Sequence, residues 1–289
     1  MLPIFYINLA MRPDRRDFMD RQLADLGLIG RRIEAVTGEE VSQEDAERYC
    51  NVNAPSFLRR RELACTLSHE RAWRAMLDEG HDAALFLEDD AVLSPLLPAF
   101  LAEVHAIDAD LVRIEKSKRI RVYPVRDTGP SGVSIREFRS TPMGAAGYIL
   151  KASAARQLLG HPGLRRRQVD LALYDPFEQP GASLSRVITD PALCRQLGSQ
   201  DPETTPVGRS DLAHDSVQHV FAEKRPLSFL WFKLRHGVVT GLRNTLDHLA
   251  QQPRGLERRA VLFHQGNVPG TQAGDAILPS DLAEAKATS

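Results

Sequence analysis

Ala83-Ala84-Leu85-Phe86-Leu87-Glu88-Asp89-Asp90 runs from an uninterrupted apolar stretch straight into three consecutive carboxylates. A short continuous apolar run without polar alternation is expected of a strand covered on both faces, the kind found in the middle of a parallel α/β sheet. The break at Glu88 then sets three acids at the carboxyl end of a central strand, the edge where open α/β sheets bind ligands. Adjacent carboxylates repel one another. The arrangement suits a hard divalent cation that also grips a substrate's phosphates, and equally a solvated turn whose acids cap a helix.

Outward from this run, the flanking sequence reads as βα units. Pro3 to Leu9 forms a first strand, and apolar Phe18, Met19, Leu23 and Leu26 recur at helical spacing over Asp14–Leu26 before a stop at Gly27. Ile33–Val36 reads as a second strand, Glu39–Tyr49 as a helix, and Asn53-Ala54-Pro55 as a loop. Glu62–Leu77 places Leu63, Leu67, Ala72, Trp73, Met76 and Leu77 near one helical face. After the acids, Leu97–Ile107 is expected to be helical and Asp110–Ile114 extended. Residues 116–140 read as a hairpin or mobile excursion outside the core. Gly144–Leu150 reads as a strand needing close backbone approach, and Ser153–Leu159 as a helix with Ser153 at its N-cap. The chain is expected to be loop-like after Asp190-Pro191.

The 289 residues suffice for one large α/β domain with an appendage, and 43% hydrophobic with 26% charged residues is an ordinary globular composition. Lys and Arg total 37 against 38 acids, which argues against nucleic acid as a partner. Cys50, Cys65 and Cys194 form no CxxC pair, so neither a disulfide framework nor a cysteine zinc site is expected, and a reducing, cytoplasmic compartment fits best. No apolar run approaches the roughly 20 residues of a membrane span. The expected division is a catalytic domain over 1–205, a basic and aromatic helical extension over 206–265, and a flexible tail over 266–289. Within the extension, Lys224–Leu249 carries Phe229, Trp231 and Phe232 beside Lys233, Arg235 and Arg243. Such a helix either packs on the domain or lies on an anionic membrane surface.

Several single residues carry candidate chemistry. Asn8, Arg12, Arg15 and Arg16 follow the first strand on the ligand-binding edge, and arginine is a natural phosphate partner. A solvated charged loop accounts for Arg15 and Arg16 equally well. Ser68 and His69 interrupt an apolar helix and need partners there; His69 is either a ligand contact or a satisfied structural histidine, and Trp73 reads as core. Asp170 follows the basic run Arg165-Arg166-Arg167 and is either a general base for a hydroxyl or a plain surface acid.

Taken in order, these blocks resemble glycosyltransferase family 25. Ile4-Phe5-Tyr6-Ile7-Asn8-Leu9 with Arg12, Asp14-Arg15-Arg16, Met19 and Leu23 is similar to that family's first strand and loop, and Ile33-Glu34-Ala35-Val36-Thr37-Gly38 to its next block. Glu62-Leu63-Ala64-Cys65-Thr66-Leu67-Ser68-His69 with Ala72-Trp73 resembles its Gly-Glu-x-Gly-Cys-x-Leu-Ser-His segment, and Leu87-Glu88-Asp89-Asp90-Ala91 its acidic motif. Gly144–Leu150 and Val169-Asp170 also fall in place, so the resemblance spans roughly residues 3–200. Arg61 and Ala64 stand where the family usually has Gly, and Ala145 where it has Thr.

The resemblance implies an A-type glycosyltransferase fold: a single nucleotide-binding, Rossmann-like mixed sheet flanked by helices, with a C-terminal helical extension. The hypothesis built on it is inverting transfer of galactose or glucose from a UDP-hexose to a lipid-linked oligosaccharide, lipopolysaccharide or other surface glycan, by a cytoplasmic enzyme that either stays free or lies on the inner face of the cytoplasmic membrane. In that scheme Asp90 and Glu88 hold Mn²⁺ or Mg²⁺. Glu88 and Asp89 act through water or touch the ribose, Asn8, Arg12 and His69 line the donor pocket, and Asp170 is the base. The alternatives are a non-catalytic scaffold subunit of the same fold and a metal-dependent phosphohydrolase. The latter lacks a second acid or histidine cluster of clear metal spacing.

Overall fold

In chain order the elements are β1 (Ile4–Asn8), α1 (Pro13–Asp25), β2 (Arg31–Glu34), α2 (Gln43–Tyr49), α3 (Arg60–Asp78), β3 (Ala83–Glu88), β4 (Ala91–Leu93), α4 (Leu97–Glu103), β5 (Leu111–Arg113), β6 (Ser117–Thr128), β7 (Ser134–Phe138), β8 (Gly147–Lys151), α5 (Ala152–Gly160), α6 (Val169–Tyr174), β9 (Arg186–Asp190), β10 (Cys194–Gln196), α7 (Leu227–Gln251) and β11 (Glu257–Val261). The computed structural model describes residues 2–51, 57–197 and 227–265. The loop expected at Asn53-Ala54-Pro55, Lys224 and the tail over 266–289 lie outside the described residues.

Nine strands form one mixed sheet in the order β11-β6-β7-β9-β5-β8-β3-β1-β2, and β4 with β10 forms a separate antiparallel pair. Side chains of β1 and β3 alternate between two cores. Phe5, Ile7, Ala84 and Phe86 pack with Trp73 and Met76 of α3 and with Leu158 of α5. Ile4, Tyr6, Leu85 and Leu87 pack with Met19 and Leu23 of α1 and with Leu97 and Phe100 of α4. Helices therefore cover both faces of the sheet, which is why β3 reads as continuously apolar. Its setting departs from a purely parallel one: β3 pairs parallel with β1 but antiparallel with β8. Burial on both faces gives the same hydrophobic run whichever way the neighbour points.

The hairpin over residues 116–140 is present, but it belongs to the main sheet and its base is core: Ile120, Val122 and Phe138 are buried. The charges between them misled because they find specific partners; Arg121, for one, donates to Asn244 O at 3.0 Å. Helix α5 starts two residues earlier than an N-cap at Ser153 requires, with Lys151 at the N-cap and no side-chain cap. The Ala152 N–H is instead taken by Asp82 O at 2.7 Å. After Asp190-Pro191 the chain is not all loop, since β10 pairs with β4. Strand β9, parallel to β5, and helix α6 had no counterpart in the sequence reading.

Beyond residue 226 the chain contributes α7 and then β11, which pairs with β6 at the sheet's edge. Helix α7 docks through a polar face. Asp247 receives Arg139 Nε at 2.8 and 2.9 Å and lies 3.4 Å from Arg121, and Gln251 accepts from Tyr123 OH at 3.0 Å. Its opposite face exposes Leu234, Val238, Leu242, Leu246 and Leu249, each more than half accessible. Among the described residues no helix is long and apolar enough to cross a membrane.

Candidate active site

The parallel register Ile7↔Glu88 carries Asn8 alongside Asp89 at the carboxyl edge of the sheet. Asn8 is buried, and its Nδ2 donates to Asp89 Oδ2 at 2.8 Å and to Arg12 O at 3.0 Å, while Oδ1 accepts from Arg32 Nε at 2.8 Å. Pro13 opens α1, a position that suits its fixed φ and missing N–H. Two residues on, Arg15 turns inward, only 6% exposed. Its Nη1 lies 2.9 Å from Asp89 Oδ1 and 3.6 Å from Asp90 Oδ2. Both Asp89 oxygens are thus occupied, one by Asn8 and one by Arg15, and Asp89 locks β1, α1 and the turn after β3 together. The Arg12 guanidinium lies on Asp14 at 2.8 Å, and exposed Arg16 lies 3.5 Å from Asp20.

Helix α3 approaches the same edge from the other core. The buried Ser68 hydroxyl donates to Ala64 O at 2.7 Å and accepts Val36 N–H at 2.8 Å, so it is fully satisfied. One residue on, His69 is 1% exposed, with Nδ1 2.8 Å from Tyr148 OH. That hydroxyl oxygen already accepts Trp73 Nε1–H at 2.8 Å, so for a neutral ring it gives its single hydrogen to His69 Nδ1. The ring hydrogen then sits on Nε2, facing Glu88 Oε1 at 3.5 Å, beyond a good hydrogen bond. Glu88 Oε2 accepts from Gln196 Nε2 at 2.8 Å. Cys65, one turn before His69, completes a group with Glu88 whose ligand atoms all lie within 4.8 Å of one another.

A second buried charge cluster continues along the edge. Arg113, at the end of β5, reaches Glu115 Oε2 at 3.0 Å and donates to Gly144 O at 2.6 Å and Met143 O at 3.0 Å. Glu115 Oε2 also accepts Ala146 N–H at 3.0 Å. Gly144 has φ +85°, and a Cβ there would come within 2.7 Å of Glu115 Oε1, so this turn admits only glycine. Its N–H donates to Asp170 Oδ2 at 3.0 Å, and Asp170 Oδ1 accepts Leu171 N–H at 2.8 Å. Asp170, at the start of α6, is therefore buried beside the Gly144 turn and not a surface acid.

The electrostatics set neighbouring acids apart. Burial alone would raise Glu88, but the neighbouring His69 imidazole, with the Gln196 amide and Arg15, holds its carboxyl below the usual range. Burial, then the charge of Glu88, push Asp90 well above its ordinary value despite Arg15. Burial also raises Asp89 and Asp170, and lifts Glu115 to about 7 against the pull of Arg113. Asp90 Oδ1 is buried with no hydrogen-bond partner among the described residues. An orphaned carboxylate oxygen beside a charged Glu88 is a donor set that fits a hard divalent cation, which would offset the repulsion. Cys65 fits such an ion poorly, because a thiol is a soft ligand and a hard divalent cation takes oxygen donors.

The structure brings together Asn8, His69, Glu88, Asp89 and Asp90, with Asp170 a short way along the same edge; Arg12 stands just outside, engaged with Asp14. Arg113, Glu115, Tyr148 and Gln196 join the site without standing out in the sequence. The usable signal was Arg113-Ile114-Glu115, charges closing an apolar strand just as Glu88 does.

Similarity to known proteins runs in the same direction. The family model described as glycosyltransferase family 25 (LPS biosynthesis protein) matches residues 1–171. The lacto-N-neotetraose biosynthesis glycosyltransferase LgtB of Neisseria meningitidis serogroup B is 30% identical over 206 residues, 66% of this chain and 74% of that protein. Procollagen galactosyltransferase 1 of Danio rerio is 28% identical over 177 residues, 56% of this chain and 29% of the relative. The inactive glycosyltransferase 25 family member 3 of Homo sapiens is 27% identical over 191 residues, 61% of this chain and 32% of the relative.

Proposed function

The chain belongs to glycosyltransferase family 25 and is a glycosyltransferase, and we propose that it moves galactose or glucose from a UDP-hexose to a lipopolysaccharide or lipooligosaccharide acceptor, with inversion and with a bound Mn²⁺ or Mg²⁺. Support for the sugar and acceptor comes from relatives named for lacto-N-neotetraose biosynthesis and for galactosyl transfer to procollagen, and from the family's description as an LPS biosynthesis protein. The observation that carries the reading is the Glu88/Asp90 pair at the carboxyl end of β3, with Asp90 Oδ1 buried and unpartnered among the described residues.

Glu88 and Asp90 would hold the ion, which when bound supplies positive charge against the leaving diphosphate. The chain's own groups do the rest. Arg15 and Asn8 hold Asp89, and through it the turn, in place. His69 lies buried against Glu88, its Nε2 facing that carboxylate. Asn8 and Arg12 border the donor pocket. The acceptor hydroxyl oxygen bonds to the anomeric carbon as the bond from that carbon to the β-phosphate oxygen breaks; the electron pair leaves on UDP, and the hydroxyl proton passes to Asp170. A carboxylate raised by burial and held by two backbone N–H groups is a suitable base. The scaffold alternative gains nothing from this edge, since both Glu88 and Asp90 are retained. An anionic membrane surface is a further proposed partner, supported by the exposed leucine stripe of α7 and by basic residues on the same helix.

Isothermal titration of the protein with UDP, with and without Mn²⁺, tests the reading. Wild type binds UDP in a Mn²⁺-dependent way and Asp90→Ala loses that dependence together with at least about 100-fold in turnover. Metal dependence and turnover that survive Asp90→Ala overturn it.

A further inference from the structure

Beside the acidic edge lies a cleft of about 410 Å³ lined by Glu115, Lys116, Ser117, Lys118, Arg119, Pro142, Met143, Arg195 and Gln196. Four of these residues are cationic, and the one carboxylate, Glu115, is paired with Arg113. Two polar groups in the lining are buried without a hydrogen-bond partner among the described residues: the hydroxyl of Ser117, itself only 6% exposed, and Nε of Arg195. Orphaned donors in a basic cleft point to an anionic ligand. The cleft also abuts the reacting edge on two sides. Gln196 lines it and donates to Glu88, and Met143 precedes the Gly144 turn that holds Asp170.

We propose that this cleft seats the acceptor, and that it selects a saccharide bearing a phosphate group, gripped by Lys118, Arg119 and Arg195 with the Ser117 hydroxyl. Seated there, the acceptor offers its hydroxyl to Asp170 while its phosphate lies away from the acids. The inference rests on the glycosyl-transfer reading but names a different ligand and a different set of residues. Lys118 and Arg119 are exposed, so the double variant Lys118→Ala/Arg119→Ala removes two charges without opening a cavity in the core.

The test is isothermal titration with glucose and with glucose 6-phosphate, each in saturating UDP and Mn²⁺ so that the donor site is filled, with UDP binding recorded separately. The expected result is that wild type prefers glucose 6-phosphate at least tenfold, that the double variant loses the preference, that added salt erodes it, and that UDP binding is unchanged. Loss of UDP binding in the double variant overturns the proposal by giving the cleft to the donor's diphosphate. Equal binding of the two sugars by wild type overturns it outright. If wild type fails to bind UDP yet the phosphosugar preference appears and vanishes in the variant, the cleft assignment stands and the donor reading falls.

Discussion

The carboxyl edge of β3 buries charge, whereas the outer face of α7 exposes hydrocarbon, and the two departures from ordinary partitioning are built in opposite ways. At the edge these acids have designated partners: Asp89 has Asn8 and Arg15, half-buried Glu88 has Gln196, Glu115 has Arg113. Asp90 is the member left with an oxygen that has no partner among the described residues. On α7 the polar residues anchor the helix through Asp247 and Gln251, and the leucines face outward without interlocking. An interlocked polar network is fragile to single removals, because each one strands a buried charge. A one-sided apolar stripe tolerates substitution until something binds it.

Three measurements press on that contrast. Removing Arg15 strands Asp89 and Asp90, so Arg15→Ala is expected to lose about 3–5 kcal/mol of stability in urea unfolding. A loss below about 1 kcal/mol would break the picture of an interlocked edge. Glu115 gives a subtler signature. Its folded value, about 7, lies above the ordinary 4.5. Its contribution to stability is therefore fully present below 4.5 and lost as pH rises through about 7. Between pH ~5 and ~8 the wild type should lose about 2–3 kcal/mol more than Glu115→Gln, read from paired urea curves; parallel profiles would mean that Glu115 is ionised throughout. The smallest effect on the fold belongs to α7. Leu242→Glu/Leu246→Glu should shift stability by no more than about 0.5 kcal/mol per site, while abolishing flotation with vesicles containing anionic lipid. A wild type that does not float, or a variant that floats as well, removes the membrane partner.

The two regions also differ in how far they can be read from sequence. The strand β3, its terminal acids, Asn8 and the core role of Trp73 follow from a local pattern, because burial on both faces and a strand's end are written in neighbouring residues. Arg15 was visible only as one arginine of a charged loop, since its buried partner stands in another element. Glu115 was hidden for the same reason. The direction of β8 beside β3 was not readable, because hydrophobic burial carries no polarity. On α7 the leucine spacing signals an amphipathic helix but not which face docks, and that choice is made by Arg121 and Arg139 finding Asp247.

The grips on Asp89, His69 and Glu88 join residues remote along the chain: Asn8 and Asp89 are 81 positions apart, Arg15 and Asp89 74, His69 and Tyr148 79, and Glu88 and Gln196 108. Three of these grips lie within residues 8–148, and only the one on Glu88 waits for Gln196. The edge is complete only when the last of these partners has been synthesised and the strands have paired, so a chain interrupted before Gln196 can assemble the grips on Asp89 and His69 but leaves Glu88 without its amide partner.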